Sequence, residues 1–182
     1  MTTHKMANPG PLGLLGFGMT TILLNVHNAG LLPLSIMIIA MGVALGGLAQ
    51  LIAGIFEMKQ GNTFAGTAFI AYGAFWWSLV IIWTMAPAGL AADKLAMGYY
   101  LSVWGIFTGF MFIGTLTHNK ATQVVFGSLT LLFALLALGD FLQNEQITVV
   151  AGIVGIFCGA SAFYSAVAQI INGEHGKTIF PL

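Results

Sequence analysis

The sequence predicts an all-α membrane protein of six transmembrane helices, arranged as three antiparallel hairpins around a central path. Composition carries much of this prediction, because 58% of the 182 residues are hydrophobic and only 5% are charged. A soluble globular domain has about 25% charged residues, so a soluble fold of this composition could not cover its surface with polar groups. The second observation is that long apolar segments recur along the chain with short loops between them.

The apolar segments divide the chain into six predicted spans that form a single transmembrane domain over residues 1–182. A helix needs about 20 apolar residues to cross a hydrocarbon core of about 30 Å. The first segment is shorter and contains Thr20, Thr21 and Asn25, so we expect it to face a cavity rather than lipid. The predicted spans are approximately residues 11–27, 34–56, 64–86, 95–116, 124–142 and 147–171.

The lysines indicate how these spans are oriented. All the basic residues are lysines, and Lys94 stands alone on one side of the predicted membrane. The side that holds both termini carries the other four, Lys5, Lys59, Lys120 and Lys177. Because cytoplasmic loops carry an excess of positive charge, we expect both termini in the cytoplasm and the protein in the cytoplasmic (inner) membrane.

A weak internal repeat supports the three hairpins. Residues 49–54 resemble residues 168–173, and each stretch is followed by an acidic residue and then a lysine. Helices two, four and six each contain a G-x-x-x-G pair, which allows helix backbones to approach closely in lipid. We therefore expect helices one, three and five each to offer a residue to one path at similar depth. Chance similarity between glycine-rich apolar helices is the alternative explanation.

The chain does not have the motifs of an intramembrane enzyme. It contains no H-E-x-x-H or G-x-S-x-G sequence, and its four histidines lie outside or at the ends of the apolar segments. An enzyme would need a nucleophile–base pair or metal ligands within the spans. The single cysteine, Cys158, excludes an intrachain disulfide or a zinc cluster. We therefore expect no catalytic site, metal or cofactor, and the zero net charge gives no reason to expect nucleic acid.

The most specific motif stands at the start of the first span, where residues 8–17 read N-P-G-P-L-G-L-L-G-F. Pro9 and Pro11 restrict the backbone, and Pro11 suits the first position of a helix. A helix cap followed by a glycine packing face would explain these residues without any function. The stretch also resembles the N-P-[AV]-P-L-G-L-x-[GSA]-F signature of the acetate uptake transporter family, the YaaH-like succinate–acetate permeases. Gly10 stands where that family usually has alanine or valine.

The resemblance implies transport of acetate and, in some members, succinate, by a path through each protomer of a hexamer. It also implies a narrow apolar constriction made of a phenylalanine, a tyrosine and a leucine. The matching positions are Phe17, Tyr72 and Leu131, where Tyr72 lies in a stretch that looks like the family's third helix. In place of Leu131, a neighbour within residues 128–133 could serve instead. Ordinary core packing is the alternative for these side chains.

Polar side chains are expected to flank the constriction. A carboxylate in hydrocarbon carries a large desolvation cost unless it is paired or neutralised, so the path must offer donors or carry the neutral acid. The candidates for contact with the substrate are Asn8, Thr20, Gln50, Trp104 and Gln169, the last four as hydrogen-bond donors.

Glu57 and His118 are candidates for a cytoplasmic proton relay, although either would also fit a solvated rim. The residues do not decide between a channel and a proton symporter, nor between acetate and succinate. A pore for small neutral solutes or simple ions such as water or ammonia is the nearest alternative. A purely structural or sensory membrane protein is a further one, but it leaves the motif at residues 8–17 without a purpose.

Overall fold

The computed structural model describes residues 6–87 and 89–182, and the secondary structure within these ranges is entirely helical. This confirms the predicted all-α class. Lys5, which contributes to the predicted orientation, lies outside the described residues. The six main helices are α1 (Gly10–Asn28), α2 (Ile36–Lys59), α3 (Thr63–Thr84), α4 (Lys94–Gly114), α5 (Lys120–Leu142) and α6 (Glu145–His175).

Five of these helices, α2 to α6, are long and apolar enough to cross a membrane, α4 together with the short 3-10 turn Thr115–Thr117 that follows it. Helix α1 has 19 residues and does not reach the same apolarity. Its polar residues Thr20, Thr21 and Asn25 are buried inside the bundle, as expected for a helix that does not present them to lipid. The sixth span therefore remains a prediction.

Four of the helices start directly after an asparagine or aspartate that caps the helix with its side chain. Each accepts a hydrogen bond from a backbone N–H of the first turn, at 2.7 to 3.2 Å, and so satisfies a donor that the helix itself leaves free. These local signals set where the spans start after each short loop. The capping residues are Asn62, Asp93, Asn119 and Asn144.

Helix α2 contains an unusual segment. Its first turns, Ile36–Met41, and its last part, Gln50–Lys59, are α-helical, but Gly42–Ala49 between them is π-helical. Such segments are rare and are often found at functional sites. This one ends at the residue before Gln50, which is buried in the bundle.

Helix α1 is held against α6 by a direct contact between backbones. A Cβ atom added to Gly18 would lie 2.8 Å from the carbonyl oxygen of Gly159, and one added to Gly159 would lie 2.7 Å from the carbonyl oxygen of Gly18. No larger residue fits at either position without moving a helix. Because Phe17 directly precedes Gly18, this contact fixes the depth of Phe17 in the bundle.

The other helices pack around this pair. Helix α1 also packs on α2, α2 on α3, α4 on α5, and α5 on α6. Helices α3 and α4 meet mainly through large side chains, as in the hydrogen bonds Tyr72–Thr108 and Ser78–Tyr100. The predicted arrangement in three hairpins therefore remains a prediction.

Candidate functional site

A polar cavity of about 470 Å³, which we call the vestibule, lies where α1 begins. Residues of α1, α2, α3, α5 and α6 contribute to it, together with the loops that precede α1, α3 and α5. Amide, carboxyl, hydroxyl and imidazole groups line one part of its wall, and apolar side chains line the rest. The polar residues are Asn8, Glu57, Gln60, Asn62, His118, Asn119, Thr122 and Gln169.

Two much smaller spaces continue from the vestibule into the bundle. The near cavity, of about 20 Å³, is lined by Leu14, Phe17, Gln50, Ala68, Phe69, Tyr72, Val125, Phe126 and Leu129. The far cavity, of about 30 Å³, is lined by Phe17, Thr21, Leu24, Asn25, Tyr72, Phe75, Trp76, Leu129, Leu132, Phe133 and Leu136. Since a water molecule needs at least about 10–15 Å³, each small cavity has room for little more than one.

The three spaces follow one another along the odd-numbered helices. On α1, Leu14 borders the vestibule and the near cavity, and Phe17 borders the near and far cavities. The same order holds on α3, and on α5 from Phe126 to Leu129. Helices α1, α3 and α5 thus contribute residues at matching depths to one line of spaces.

Phe17, Tyr72 and Leu129 separate the two small cavities, because all three belong to both linings. Each side chain is buried, and the rings of Phe17 and Tyr72 have centroids 6.0 Å apart with a tilt of 47°. The structure therefore places the two aromatic residues of the predicted constriction side by side, with a leucine of α5 next to them.

That leucine is not Leu131, so this part of the predicted site needs correction. Leu131 is 50% exposed on the outside of the bundle, whereas Leu129 is 3% exposed and faces both cavities. Two residues along an α-helix correspond to a turn of about 200°, which places the two side chains on opposite faces. The buried stripe formed by Val125, Leu129 and Leu132 was the signal that could have identified the correct residue.

The hydroxyl of Tyr72 is held by α4. Its oxygen lies 2.9 Å from Oγ1 of Thr108, and that hydroxyl in turn donates to the carbonyl oxygen of Trp104 at 2.7 Å. Because Thr108 has one hydroxyl hydrogen and a carbonyl can only accept, Tyr72 must be the donor in the first bond. The rings of Phe107 and Trp104 pack around Tyr72 and fix its orientation.

Gln50 lies in the wall of the near cavity with 0% exposure. Its Nε2 donates to the carbonyl oxygen of Gly46 at 2.7 Å, and its Oε1 has no hydrogen-bond partner among the described residues. The sequence predicted a donor at this position. The amide nitrogen carries two hydrogens, of which the bond to Gly46 uses one, so Gln50 remains a predicted donor.

Two other predicted donors do not line the three spaces. Thr20 donates its hydroxyl to the carbonyl oxygen of Gly16 at 2.8 Å and packs between α1 and α2. Trp104 lies in an aromatic cluster, with its ring centroid 5.1 Å from that of Phe75. The far cavity is lined instead by Thr21 and Trp76. Thr21 is one of the polar residues for which the first segment was expected to face a cavity, whereas Trp76 was not among the candidates.

Asn8, Glu57 and Gln169 meet at the vestibule around the start of α1. Asn8 donates through Nδ2 to Oε1 of Gln169 at 3.1 Å and accepts from the backbone N–H of Gly10 at 3.0 Å. A Cβ atom on Gly10 would lie 3.4 Å from Oε1 of Glu57 and 3.5 Å from Oε1 of Gln169. The glycine therefore leaves open the space between these polar groups.

Glu57 is not the solvated rim residue that the sequence allowed. It is only 5% exposed, and its Oε2 accepts from Nδ2 of Asn62 at 2.7 Å. Lys59 does not pair with it and lies over the ring of Phe56, 5.3 Å from the centroid. His118 packs edge-on against Phe64 and lines the same vestibule, so the two relay candidates share one space.

Comparisons with known proteins provide independent information about the whole chain. Residues 1–181 match the model of the GPR1/FUN34/yaaH family. The chain is 52% identical over 184 residues to the succinate-acetate/proton symporter SatP of Escherichia coli (strain K12), an alignment that covers 100% of this chain and 98% of that protein. It is also 37% identical to the ammonia transport outward protein 2 of Saccharomyces cerevisiae, over 94% of this chain and 64% of the yeast protein.

A solved structure, described as that of the bacterial acetate channel SatP, matches the fold with a TM-score of 0.95 and 52% identity. The match covers 98% of this chain and 99% of that one. These relatives are named as transporters and a channel, which confirms the expectation that the protein is not an enzyme. The chain belongs to the GPR1/FUN34/yaaH family of membrane proteins.

Proposed function

We propose that the protein passes acetate and related small carboxylates across the cytoplasmic membrane along the line of spaces between α1, α3 and α5. The observation that carries the proposal is the position of Phe17, Tyr72 and Leu129, which separate two small cavities in line with a polar vestibule. The names of SatP and of the acetate channel support a small carboxylate as the solute.

The vestibule and the constriction have different roles in this proposal. Amide and hydroxyl groups of the vestibule can replace water around a carboxylate without binding it too tightly to leave. Beyond Leu14 the walls are largely apolar, so the solute must shed most of its water there. Since the two cavities have volumes of only about 20 and 30 Å³, the constriction side chains must move for each passage.

This geometry favours a monocarboxylate over a dicarboxylate. Apart from Gln50 and Tyr72, the near cavity is lined by apolar side chains. A second carboxylate would have to enter this apolar space as well, at a large desolvation cost. We therefore propose acetate as the preferred substrate and succinate as a slower one.

We also propose an orientation in the membrane and a number of copies. The lysine bias supports cytoplasmic termini, and with them a vestibule that opens to the cytoplasm. The resemblance to the acetate uptake transporters supports assembly of the protein as a hexamer with a path in each copy. Native mass spectrometry of the purified protein would measure the number of copies.

Uptake of radiolabelled acetate by proteoliposomes tests the function. We expect uptake above that of protein-free vesicles, strong competition by excess propionate and weaker competition by succinate. Equal uptake by both kinds of vesicle would reject acetate transport. Flux without a pH gradient indicates a channel, whereas accumulation that requires the gradient indicates a symporter.

A pore for small neutral solutes or simple ions is the second candidate. The small cavities would admit water or ammonia, and the yeast relative is named for ammonia transport. Methylammonium flux and osmotic water permeability of the same vesicles distinguish the two functions. This candidate replaces the first if either exceeds the protein-free value while acetate flux does not.

A further inference from the structure

The middle of helix α2 is wound more widely than an α-helix. Four of its buried residues, Ile38, Gly42, Gly46 and Gln50, follow one another at intervals of four. In an α-helix four residues turn through about 400°, so three such intervals would carry the last residue about 120° away from the first. The π-helical segment Gly42–Ala49 takes up this difference, because its hydrogen bonds join residues five apart instead of four. The segment therefore keeps all four residues on the inner face of α2.

This segment also sets the direction in which the last part of α2 faces. Gln50 borders the near cavity, and Glu57 borders the vestibule. If the segment closed to an α-helix, the part Gln50–Lys59 would rotate by the same angle of about 120° against the first turns. Both residues would then leave the faces that border the candidate path, and their neighbours Ala49 and Phe56 would take their directions.

Trp77 of α3 holds the segment by a hydrogen bond. Its indole Nε1 donates to the carbonyl oxygen of Val43 at 3.0 Å. Gly47 leaves room for the indole, because a Cβ atom added there would overlap Nε1 of Trp77. Trp77 is 39% exposed on the outside of the bundle, where the hydrocarbon of a membrane offers its N–H no partner. The bond to Val43 is therefore favoured over a free indole.

The backbone of the same segment touches α1 and α3 directly. A Cβ atom added to Gly16 of α1 would lie 2.5 Å from the carbonyl oxygen of Leu45. One added to Gly73 of α3 would lie 2.9 Å from the carbonyl oxygen of Gly47. The directions of these carbonyl groups depend on how widely the helix is wound, so the π-helical form is the one that fits between the two helices.

We propose that Trp77 is a positioning residue that keeps α2 in its π-helical register and thereby turns Gln50 and Glu57 toward the path. The inference rests on the proposed transport along this path. In the described structure Trp77 borders none of the three spaces, so it acts through α2 and not on the solute. Its chain neighbour Trp76 lines the far cavity instead.

Acetate flux in proteoliposomes, measured per folded protein, provides the first test. Trp77→Phe removes the N–H and keeps an aromatic ring. Because an interhelical hydrogen bond in a membrane shifts an equilibrium by about threefold, we expect flux about threefold below native. Trp83→Phe, at a partly buried position further along α3, is the matched control and should keep native flux. Native flux in Trp77→Phe would overturn the inference.

Single-residue deletions separate a role in register from a role in packing. Leu48 is exposed and lies in the π-helical segment, so without it the segment can close to an α-helix while Gln50 keeps nearly its direction. We expect the protein without Leu48 to fold and to retain at least about a third of native flux. Ile52 is also exposed but lies in the α-helical part. Its deletion rotates residues 53–59 by about 100° and should lower flux below about a tenth of native.

Loss of folding or of flux on deletion of Leu48, to the same extent as on deletion of Ile52, would contradict the proposal. The combination with Trp77→Phe is the sharpest readout. We expect this substitution to lower flux in the native chain but not in the chain without Leu48, where no π-helical turn has to be held. A residue that only stabilises the fold would lower flux by the same factor in both chains, and that result would overturn the inference.

Gly47→Ala tests the same bond from the side of α2. The added methyl group displaces the indole of Trp77, so we expect a similar threefold loss and no further loss when the two changes are combined. Gly173→Ala is the matched control, because a Cβ atom added there meets nothing within 4 Å. Losses that multiply in the double variant would count against the proposal.

Absence of acetate flux through the native protein would reject the proposed function, and thermal unfolding would then decide the inference about α2. We expect the unfolding temperature to stay within about 4 °C of native without Leu48, because the segment can give up one residue. Without Ile52 we expect a much lower value. The reverse order of the two variants would overturn the inference.

Discussion

The vestibule and the constriction lie only a few helical turns apart, yet they differ strongly in volume and polarity. The vestibule has about 470 Å³ of space and many polar groups, including Asn8, Glu57 and Gln169. The cavities on either side of Phe17, Tyr72 and Leu129 have about 20 and 30 Å³ and largely apolar walls. A wide polar space tolerates the loss of one group, whereas a narrow apolar one depends on the volume of each side chain. Substitutions should therefore have large effects at the constriction and small effects at the vestibule.

Leu129→Trp should give the largest effect. The larger side chain would fill both small cavities, and we expect acetate flux in proteoliposomes to fall below about a tenth of the native value. Leu131→Trp is the matched control, because Leu131 lies two residues further along α5 and points outward. The reverse result, with flux lost in Leu131→Trp only, would restore Leu131 to the constriction.

Phe17→Ala should change selectivity more than rate. Removal of the ring joins the two small cavities, so longer acids should fit where acetate now fits. We expect the flux of butyrate relative to acetate to rise about tenfold, since one methylene in an apolar pocket already contributes about 1–3 kcal/mol to discrimination. Phe157→Ala, at an exposed position on α6, should leave the ratio unchanged. An unchanged ratio in Phe17→Ala would remove Phe17 from the constriction.

Tyr72→Phe should have a smaller effect, because the ring that narrows the path stays in place. The change removes the hydrogen bond to Thr108, which can still donate to the carbonyl oxygen of Trp104. We expect a loss of about 1 kcal/mol in stability, seen as a lower thermal unfolding temperature, and acetate flux within about twofold of native. Abolished flux in a folded variant would mean that the hydroxyl contacts the substrate.

Glu57→Gln should have the smallest effect of the four. A glutamine oxygen can accept from Nδ2 of Asn62 as Glu57 does, so the vestibule wall should keep its shape. We expect acetate uptake within about twofold of the native protein at the same pH. Lost uptake with normal assembly would identify Glu57 as a proton relay and would make the vestibule as sensitive as the constriction.

The sequence was sufficient for the fold class, and it singled out Phe17 and Tyr72, whose rings lie side by side in the structure. Composition and apolar segments predicted the helices, and the motif at residues 8–17 directed attention to Phe17 on α1. Asn62 and the other capping residues set the helix starts through local hydrogen bonds, which is why the helix boundaries are close to the predicted spans.

The other residues of the candidate site could not be identified from the sequence, because their roles depend on which way each side chain faces. In α5, leucines at 129, 131 and 132 are equally apolar, so composition cannot distinguish the inward face from the outward one. The same holds for Thr20 and Thr21, adjacent residues of which only Thr21 borders a cavity. The hydrogen bond that Gln50 donates could not be predicted at all, because it depends on the position of the carbonyl oxygen of Gly46.

The backbone contact between Gly18 and Gly159 limits how the path can open. Because no side chain separates the two backbones, α1 cannot slide or tilt against α6 without breaking this contact. We therefore expect α1 to keep its position relative to α6. Opening should then depend on rotation of the Phe17 ring and its neighbours rather than on rocking of whole helices, which takes microseconds to milliseconds. We also expect a single larger side chain at Gly18 or Gly159 to slow transport by displacing α1.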